Sequence, residues 1–406
     1  MVARLVQKFG GTSVADVARL QAVAEKVAAE VQAGGQVAVV VSAMAGATNQ
    51  LVEYTRQISN SSHTGHHDVV LSSGEQVTTG LLALALNAIG IKAEAFMGWQ
   101  VPIITDAHHT NATIQEIKPE RLEEFWYSGG GVPIVAGFQG VSPQGRLTTL
   151  GRGGSDTTAV ALAASLKADR CDIYTDVDGV YTADPRIVPQ ARKLDMVTYD
   201  EMLELSACGA KVLHWRSVQT AKDHTVDLRV LSSFVVGDGT RVVAQRPFNE
   251  DTCVSGVVLS RDDAKVTLQC MQLQTGWEEL LTMALTAQHI PCDMISYHMV
   301  EPGIAHVSFI VPKGEVARAL DCLNPYQALW RESKADLNIA RVAVVGYGIA
   351  SHLGIAGAVF QVLGEKDIKI QAVTTTPIKL SILVNEEDAE KAVRLLHTAY
   401  GLDREY

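Results

Sequence analysis

Five consecutive apolar residues, Val37-Ala38-Val39-Val40-Val41, constrain the fold of this chain more than any other stretch. A strand with one solvated face alternates apolar and polar side chains. An unbroken apolar run instead fits a strand buried on both faces, inside a parallel sheet. Parallel neighbours are joined by crossover helices, so the run predicts helices on both sides of the sheet. Residues 5–9, 133–136, 172–175 and 227–231 have the composition of further strands, and residues 14–33 and 80–89 that of helices. The expectation is an α/β chain whose residues 1–236 form a three-layer αβα sandwich on a mainly parallel sheet. Ligands of such folds sit at the carboxyl ends of strands. Gly10-Gly11, Ser42, Gly137 and Thr175-Asp176 all fall at such ends.

Residues 237–262 shift in composition, with Gly237, Gly239, Pro247 and Asn249 among several charges, and are expected to be a linker in which residues 242–244 could add a strand. An internal repeat follows. Ala264-Lys265-Val266-Thr267-Leu268 matches Ala340-Arg341-Val342-Ala343-Val344, and Val307-Ser308-Phe309-Ile310-Val311 matches Leu380-Ser381-Ile382-Leu383-Val384. With the helical patterns between them, residues 263–335 and 336–406 each give β-α-β-β-α-β, the split βαβ arrangement. Paired small units behind a larger domain suggest sensor modules. The same repeat removes a false dinucleotide motif. Val345-Gly346-Tyr347-Gly348-Ile349-Ala350-Ser351 looks like a strand running into GxGxxS, but its strand belongs to the second small unit.

The formal charge of −11 and the lack of a long basic run argue against nucleic acid or an anionic membrane as partner. Cys171, Cys208, Cys253, Cys270, Cys292 and Cys322 show no CxxC pair and fit free thiols in a reducing compartment. No apolar run of about 18 residues is evident, and Gly10-Gly11 interrupts the first apolar stretch, so a cytoplasmic location is expected.

Chemistry gathers in a few motifs. Gly151-Arg152-Gly153-Gly154-Ser155-Asp156-Thr157-Thr158 precedes an apolar helical run. Its glycines let backbone N–H groups crowd an anion at a helix entrance, and Arg152 offers a fork for carboxylate or phosphate. Asp156 could cap the helix or orient a cation. In Lys8-Phe9-Gly10-Gly11-Thr12-Ser13, a lysine ends a strand before two glycines, a plausible phosphate cradle or an ordinary turn; no Walker-type loop is present. Residues 175–186 imitate a calcium loop, but Ile187 stands where the bidentate Glu is needed, so a polar nucleotide pocket fits better. Glu75 begins a helix, and Ser42 and Thr48 follow a strand; each is either a local cap or a site residue. His63, His66 and His67 lie in a polar loop with no matching acidic ligands.

Taken in order, KFGGTS at 8–13, VVSAMAGAT at 40–48, SGEQV at 73–77, GRGGSDTTA at 151–159, YTDVDGVYTADPR at 174–186, GAKVLH at 209–214 and the two terminal repeats resemble the aspartate kinases of the amino-acid kinase family. The resemblance covers nearly the whole chain. It implies the amino-acid kinase fold with two ferredoxin-like ACT domains, and transfer of the γ-phosphoryl group of ATP, with Mg²⁺, to the side-chain carboxylate of L-aspartate. It also implies roles. Lys8, with the amides of Gly10 and Gly11, would hold the transferring phosphate, and Asp156 would orient Lys8. Arg152 would clamp the α-carboxylate of aspartate and Glu75 its α-amino group, with Ser42, Thr48, Gly153, Gly154 and Ser155 completing the pocket. Phe9, Ser13, Thr175, Asp176, Tyr181, Thr182, Ala183, Asp184, Pro185, Arg186 and Lys211 would contact ATP. Mg²⁺ would ride on the phosphates, with no protein metal site. An effector, lysine and/or threonine, would meet Gln274, Thr275, Gly276 and Asp293, and the ACT domains would join a homo-oligomer.

Three positions depart from the family pattern. Trp215 replaces a usual Pro, which predicts altered packing with catalysis spared. Gln274-Thr275-Gly276-Trp277 replaces an acidic-x-Pro-Gly entrance, and Ser351-His352-Leu353-Gly354 replaces Pro-Gly in the second repeat.

Overall fold

The computed structural model describes residues 2–59, 64–246, 253–349 and 353–404; His63, Pro247, Asn249, Ser351 and His352 lie outside them. The described chain divides into two units. Residues 2–180, 193–207 and 211–246 make the first; residues 181–192, 208–210 and those from 253 onward make the second.

In the first unit the strand Arg4–Phe9 lies inside an eight-stranded sheet, parallel to Gln36–Val41 on one side and Arg170–Thr175 on the other. Val132–Ala136 and Ala93–Phe96 extend the sheet in parallel beyond Gln36–Val41. Leu228–Ser232 extends it in parallel beyond Arg170–Thr175, and Thr240–Val243 then adds antiparallel. Side-chain alternation assigns the faces. Leu5, Phe9, Val37, Val39, Val41 and Ile134 share a core with the helices Val17–Gln32 and Ser73–Ala88. Val6 and Lys8 point to the opposite face, covered by the helix Gly154–Ser165. Both faces are therefore dry, which is why Val37 to Val41 carry no polar residue. Each such side chain contributes about 1.5–3 kcal/mol on burial.

The helix Ser73–Ala88 begins seven residues before the expected start at residue 80. Its first turn holds Glu75, whose charge breaks the apolar pattern although the residue is buried. Together with Gly65–Leu71 it forms a stretch, residues 65–88, long and apolar enough by length and composition to cross a bilayer. Half of it is buried in the unit, and it carries the buried carboxyl groups of Asp68 and Glu75, so it serves as a core element.

The second unit contains two antiparallel four-stranded sheets. One has the order Asp293–Glu301, Ile304–Pro312, Asp263–Gln272, Glu332–Asp336, with the helices Trp277–Ala287 and Val316–Leu323 packed on it. This is the expected βαββαβ repeat. The other has the order Val254–Ser260, Ile339–Gly346, Lys379–Asn385, Ala372–Thr376, with the helices Leu353–Gly364 and Ala389–Ala399. Here the strand beside Ile339–Gly346 comes from Val254–Ser260, inside the stretch expected to be a linker. Val254 and Val257 are buried against Val342 and Val344, which accounts for the capture of this strand. Thr240–Val243, in the same stretch, belongs to the sheet of the first unit.

Residues 181–192 also join the second unit. Ala183 and Val188 are buried in its core beside Val257 and Leu396, and the Thr182 amide donates to the Arg192 carbonyl at 2.9 Å.

Candidate active site

Four neighbouring strands, Arg170–Thr175, Arg4–Phe9, Gln36–Val41 and Val132–Ala136, end at one edge of the first unit. The segments leaving the last three of these strands and the Gly151–Gly153 turn line a cavity of about 380 Å³. Lys8, Gly11, Ser42, Thr48, Glu75, Arg152, Gly153, Gly154, Ser155 and Asp156 all line it, so residues 148 positions apart in sequence meet here.

Each charged group is placed by its element. Lys8 points away from the core of the Val17–Gln32 helix, and its Nζ lies 2.5 Å from Asp156 Oδ1 in the first turn of the helix Gly154–Ser165. Both are about nine-tenths buried. The pair keeps an ammonium extended at the strand end, where oncoming negative charge would meet it in a poorly screened environment. Glu75 is 3% exposed; its Oε1 accepts the Ala43 amide at 3.0 Å, and its Oε2 has no partner among the described residues. Burial pushes its pKa up to about 7, against the opposing effect of the Ala43 N–H. The close approach depends on Gly74, where a Cβ would lie 2.8 Å from the Ala43 Cβ. Arg152 is exposed to the cavity and makes no hydrogen bond or ion pair among the described residues. The cavity thus presents a carboxylate oxygen and a guanidinium, both unsatisfied, in the same enclosure as a paired lysine.

The turn that carries Arg152 relies on left-handed backbone. Gly151 and Gly153 have φ of 75° and 69°. A Cβ at Gly153 would lie 2.1 Å from the His214 Cβ, so no side chain fits there. Burial, with Arg216 and Arg152 nearby, lowers the His214 pKa, and the neutral ring accepts the Arg216 amide on Nδ1 at 3.3 Å.

Several expected contacts are redirected. Phe9 is fully buried and stacks on Tyr174, with centroids 4.7 Å apart, so its ring is a core element. The Gly10 amide donates to the Tyr174 carbonyl at 3.1 Å and is not available to a phosphate. Ser13 Oγ meets Ser233 Oγ at 2.5 Å. Thr182 and Ala183 point into the second unit; Thr182 Oγ1 meets His397 Nε2 at 2.9 Å. Asp184 binds the Arg186 guanidinium at 2.7 Å, leaving Arg186 outward. Pro185 is exposed; Tyr181 is part-exposed. Thr175 Oγ1 donates to Asp176, and Lys211 is exposed with no ion pair among the described residues. In the first repeat of the second unit, Gly276 (φ 87°) caps the helix Trp277–Ala287 behind Gln274 and Thr275. Asp293 is committed to Arg341 at 2.6 Å; burial raises its pKa, but Arg341 outweighs that and the net shift is downward.

Ala43, inside the motif at 40–48, acts through its backbone amide. Two lining residues carry no clear sequence signal: Asn49 is one polar residue beside Thr48, and Phe138 adopts φ 68° as a non-glycine residue. Strain of this kind is concentrated at functional sites.

Residues 3–232 match the model of the amino acid kinase family, and residues 342–400 that of an ACT domain. The chain is 45% identical to the aspartate kinase Ask_LysC of Stutzerimonas stutzeri over 99% of its own length and 98% of that protein. It superposes on E. coli aspartokinase III in complex with aspartate and ADP (R-state) with a TM-score of 0.84 and 27% identity, covering 97% of this chain and 99% of that one. Against the same enzyme in complex with lysine and aspartate (T-state), the TM-score is 0.73 at 28% identity, with 97% and 98% covered. The chain belongs to the amino acid kinase family, among its aspartate kinases.

Proposed function

We propose that the chain transfers the γ-phosphoryl group of ATP to the side-chain carboxylate of L-aspartate, giving 4-phospho-L-aspartate and ADP. The observation that carries this reading is the pairing of an unsatisfied Glu75 oxygen with an unpartnered Arg152 in one cavity beside Lys8. That set matches an α-amino acid: Glu75 takes the ammonium, and Arg152 takes the α-carboxylate as a fork. The Ser42, Thr48 and Ser155 hydroxyls complete the lining.

The acceptor carboxylate is ionised at neutral pH, so the site needs no general base. Its work is positioning and neutralisation of charge. Lys8 stabilises the charge on the transferring phosphoryl group, and Asp156 holds Lys8 in place. Lys211 is assigned to the nucleotide. Mg²⁺, carried on the phosphates, supplies further neutralisation of their oxygens.

The two ACT domains supply regulation in this reading. Lysine and/or threonine would act near Gln274, Thr275 and Gly276, and the ACT domains would join copies of the chain into a homo-oligomer. A cytoplasmic location fits a biosynthetic role.

Release of ADP from Mg-ATP with L-aspartate, compared with L-glutamate, tests the reading. Activity should require L-aspartate; equal rates with L-glutamate, or none with either, would overturn it. Titration with lysine and threonine, singly and together, tests the effector.

A further inference from the structure

Arg152 stands between two left-handed glycines and makes no hydrogen bond or ion pair among the described residues. Its position must be set by whatever anchors the backbone on either side. Upstream, Leu150 is fully buried, and its carbonyl accepts Arg216 Nη1 at 2.6 Å. The same nitrogen meets Asn111 Oδ1 at 3.2 Å, and Nη2 donates to the Ala112 carbonyl at 2.7 Å. Downstream, Gly153 rests against the His214 side chain. Both ends of the Gly151-Arg152-Gly153 turn therefore bear on one helix start, residues 214–216.

We infer that Arg216 is a positioning residue for acceptor binding: by holding the Leu150 carbonyl against the 111–112 backbone, it sets where Arg152 presents its fork. A planar guanidinium with several donors suits this task, because it can bridge two carbonyls and an amide side chain at once. The buried Leu150 side chain and its amide, which donates to the Phe138 carbonyl at 2.9 Å, fix one side of this residue, and Arg216 fixes its carbonyl on the other; a cavity of about 530 Å³ opens beside Arg216 and Thr157. The inference rests on the proposed role of Arg152 and concerns how that role is maintained.

A cycle of variants tests it, with steady-state kinetics varying each substrate in turn. Arg216→Ala should raise the KM for L-aspartate about tenfold or more, in line with the sensitivity of reacting geometry to small displacements, while the KM for ATP stays within about twofold. Arg216→Lys, which can keep one bond to Leu150, should fall between the two and provides a folded comparison if the alanine variant does not fold. Arg152→Ala/Arg216→Ala should match Arg152→Ala alone, because a residue acting only through Arg152 has nothing further to lose. Multiplicative losses in the double variant, or equal rises in both KM values, would mark Arg216 as merely structural and overturn the inference. If Arg152→Ala raised the aspartate KM and neither Arg216 variant did, the inference would fall alone. If Arg152→Ala left that KM unchanged, the assignment of Arg152 would fall and take the inference with it.

Discussion

Glu75 gives the site a pH dependence whose size follows from its burial. With a pKa of about 7 in the free protein, Glu75 is about one-tenth ionised near pH 6 and about nine-tenths ionised near pH 8. Only the ionised form offers the aspartate ammonium an opposite charge. Binding near pH 6 must therefore first remove a proton, and the aspartate KM should be about tenfold higher there than near pH 8. The turnover number should change little, because Glu75 is already ionised in the occupied site. His214, beside the Gly153 turn, is shifted downward by burial and by Arg216, the direction opposite to Glu75. The assay is ADP release at saturating Mg-ATP with L-aspartate varied across the range. Glu75→Gln should raise the KM near pH 8 by about ten- to a hundredfold through loss of a charged hydrogen bond, and its profile should be flat. A flat wild-type profile, or a variant that keeps the wild-type slope, would refute the assignment of the ammonium to Glu75. Stability carries the opposite sign. The folded state holds a proton on Glu75 between about pH 4.5 and 7 that the unfolded chain has released, so stability falls as pH rises through that window. The shift corresponds to about 3 kcal/mol. Glu75→Gln should accordingly melt higher than the wild type near pH 8 and close to it near pH 5.

Other consequences can be tested separately. Lys8→Met should lower kcat by about a hundred- to a thousandfold, as loss of a preorganised charge stabiliser does, and leave the aspartate KM within a few-fold; a fall below tenfold would argue against Lys8 as the phosphoryl contact. Arg152→Ala should raise the aspartate KM strongly with ATP binding largely intact; isothermal titration with a non-hydrolysable ATP analogue would expose a collapse in nucleotide affinity that contradicts the carboxylate role. Gly153→Ala forces a side chain into left-handed backbone against His214, so thermal melting should show a loss of more than about 1–2 kcal/mol; a melting point equal to the wild type would show that the turn adjusts freely.

Local chemistry made much of this legible from sequence. Residues 37–41 declare a strand buried on two faces, because burial of both faces leaves no position for a polar side chain. Lys8, Ser42, Glu75, Arg152 and Asp156 stand at strand ends or helix starts, and the cavity gathers all five. The obscure features depend on partners distant in the chain. Thr182 and Ala183 sit in a polar, ligand-like run, yet the strand Val254–Ser260 and the helix Ala389–Ala399 draw them into a core. Val254–Ser260 has the composition of a strand but lies in the stretch that reads as a linker; its partner, Ile339–Gly346, is about 80 residues away and is shown only by the fold. Gly10 illustrates a finer case. A glycine before a helix has an amide that sequence rules leave free for a phosphate, but the parallel neighbour Arg170–Thr175 places the Tyr174 carbonyl 3.1 Å from it.

The same reasoning separates the two arginines near the acceptor cavity. Arg152 is conspicuous in sequence because glycines flank it, and those glycines are also why it cannot hold itself in place. Arg216 lies 64 residues later beside an unusual Trp215, with no motif of its own pointing to the cavity. It nevertheless donates to the backbone carbonyls of Leu150 and Ala112. A side chain that binds substrate must keep its hydrogen-bonding capacity free, whereas one that positions it must spend that capacity on the protein. By that criterion the two inferred roles are complementary: Arg152 would be left unsatisfied for the ligand, and Arg216 would be satisfied so that Arg152 stays aimed.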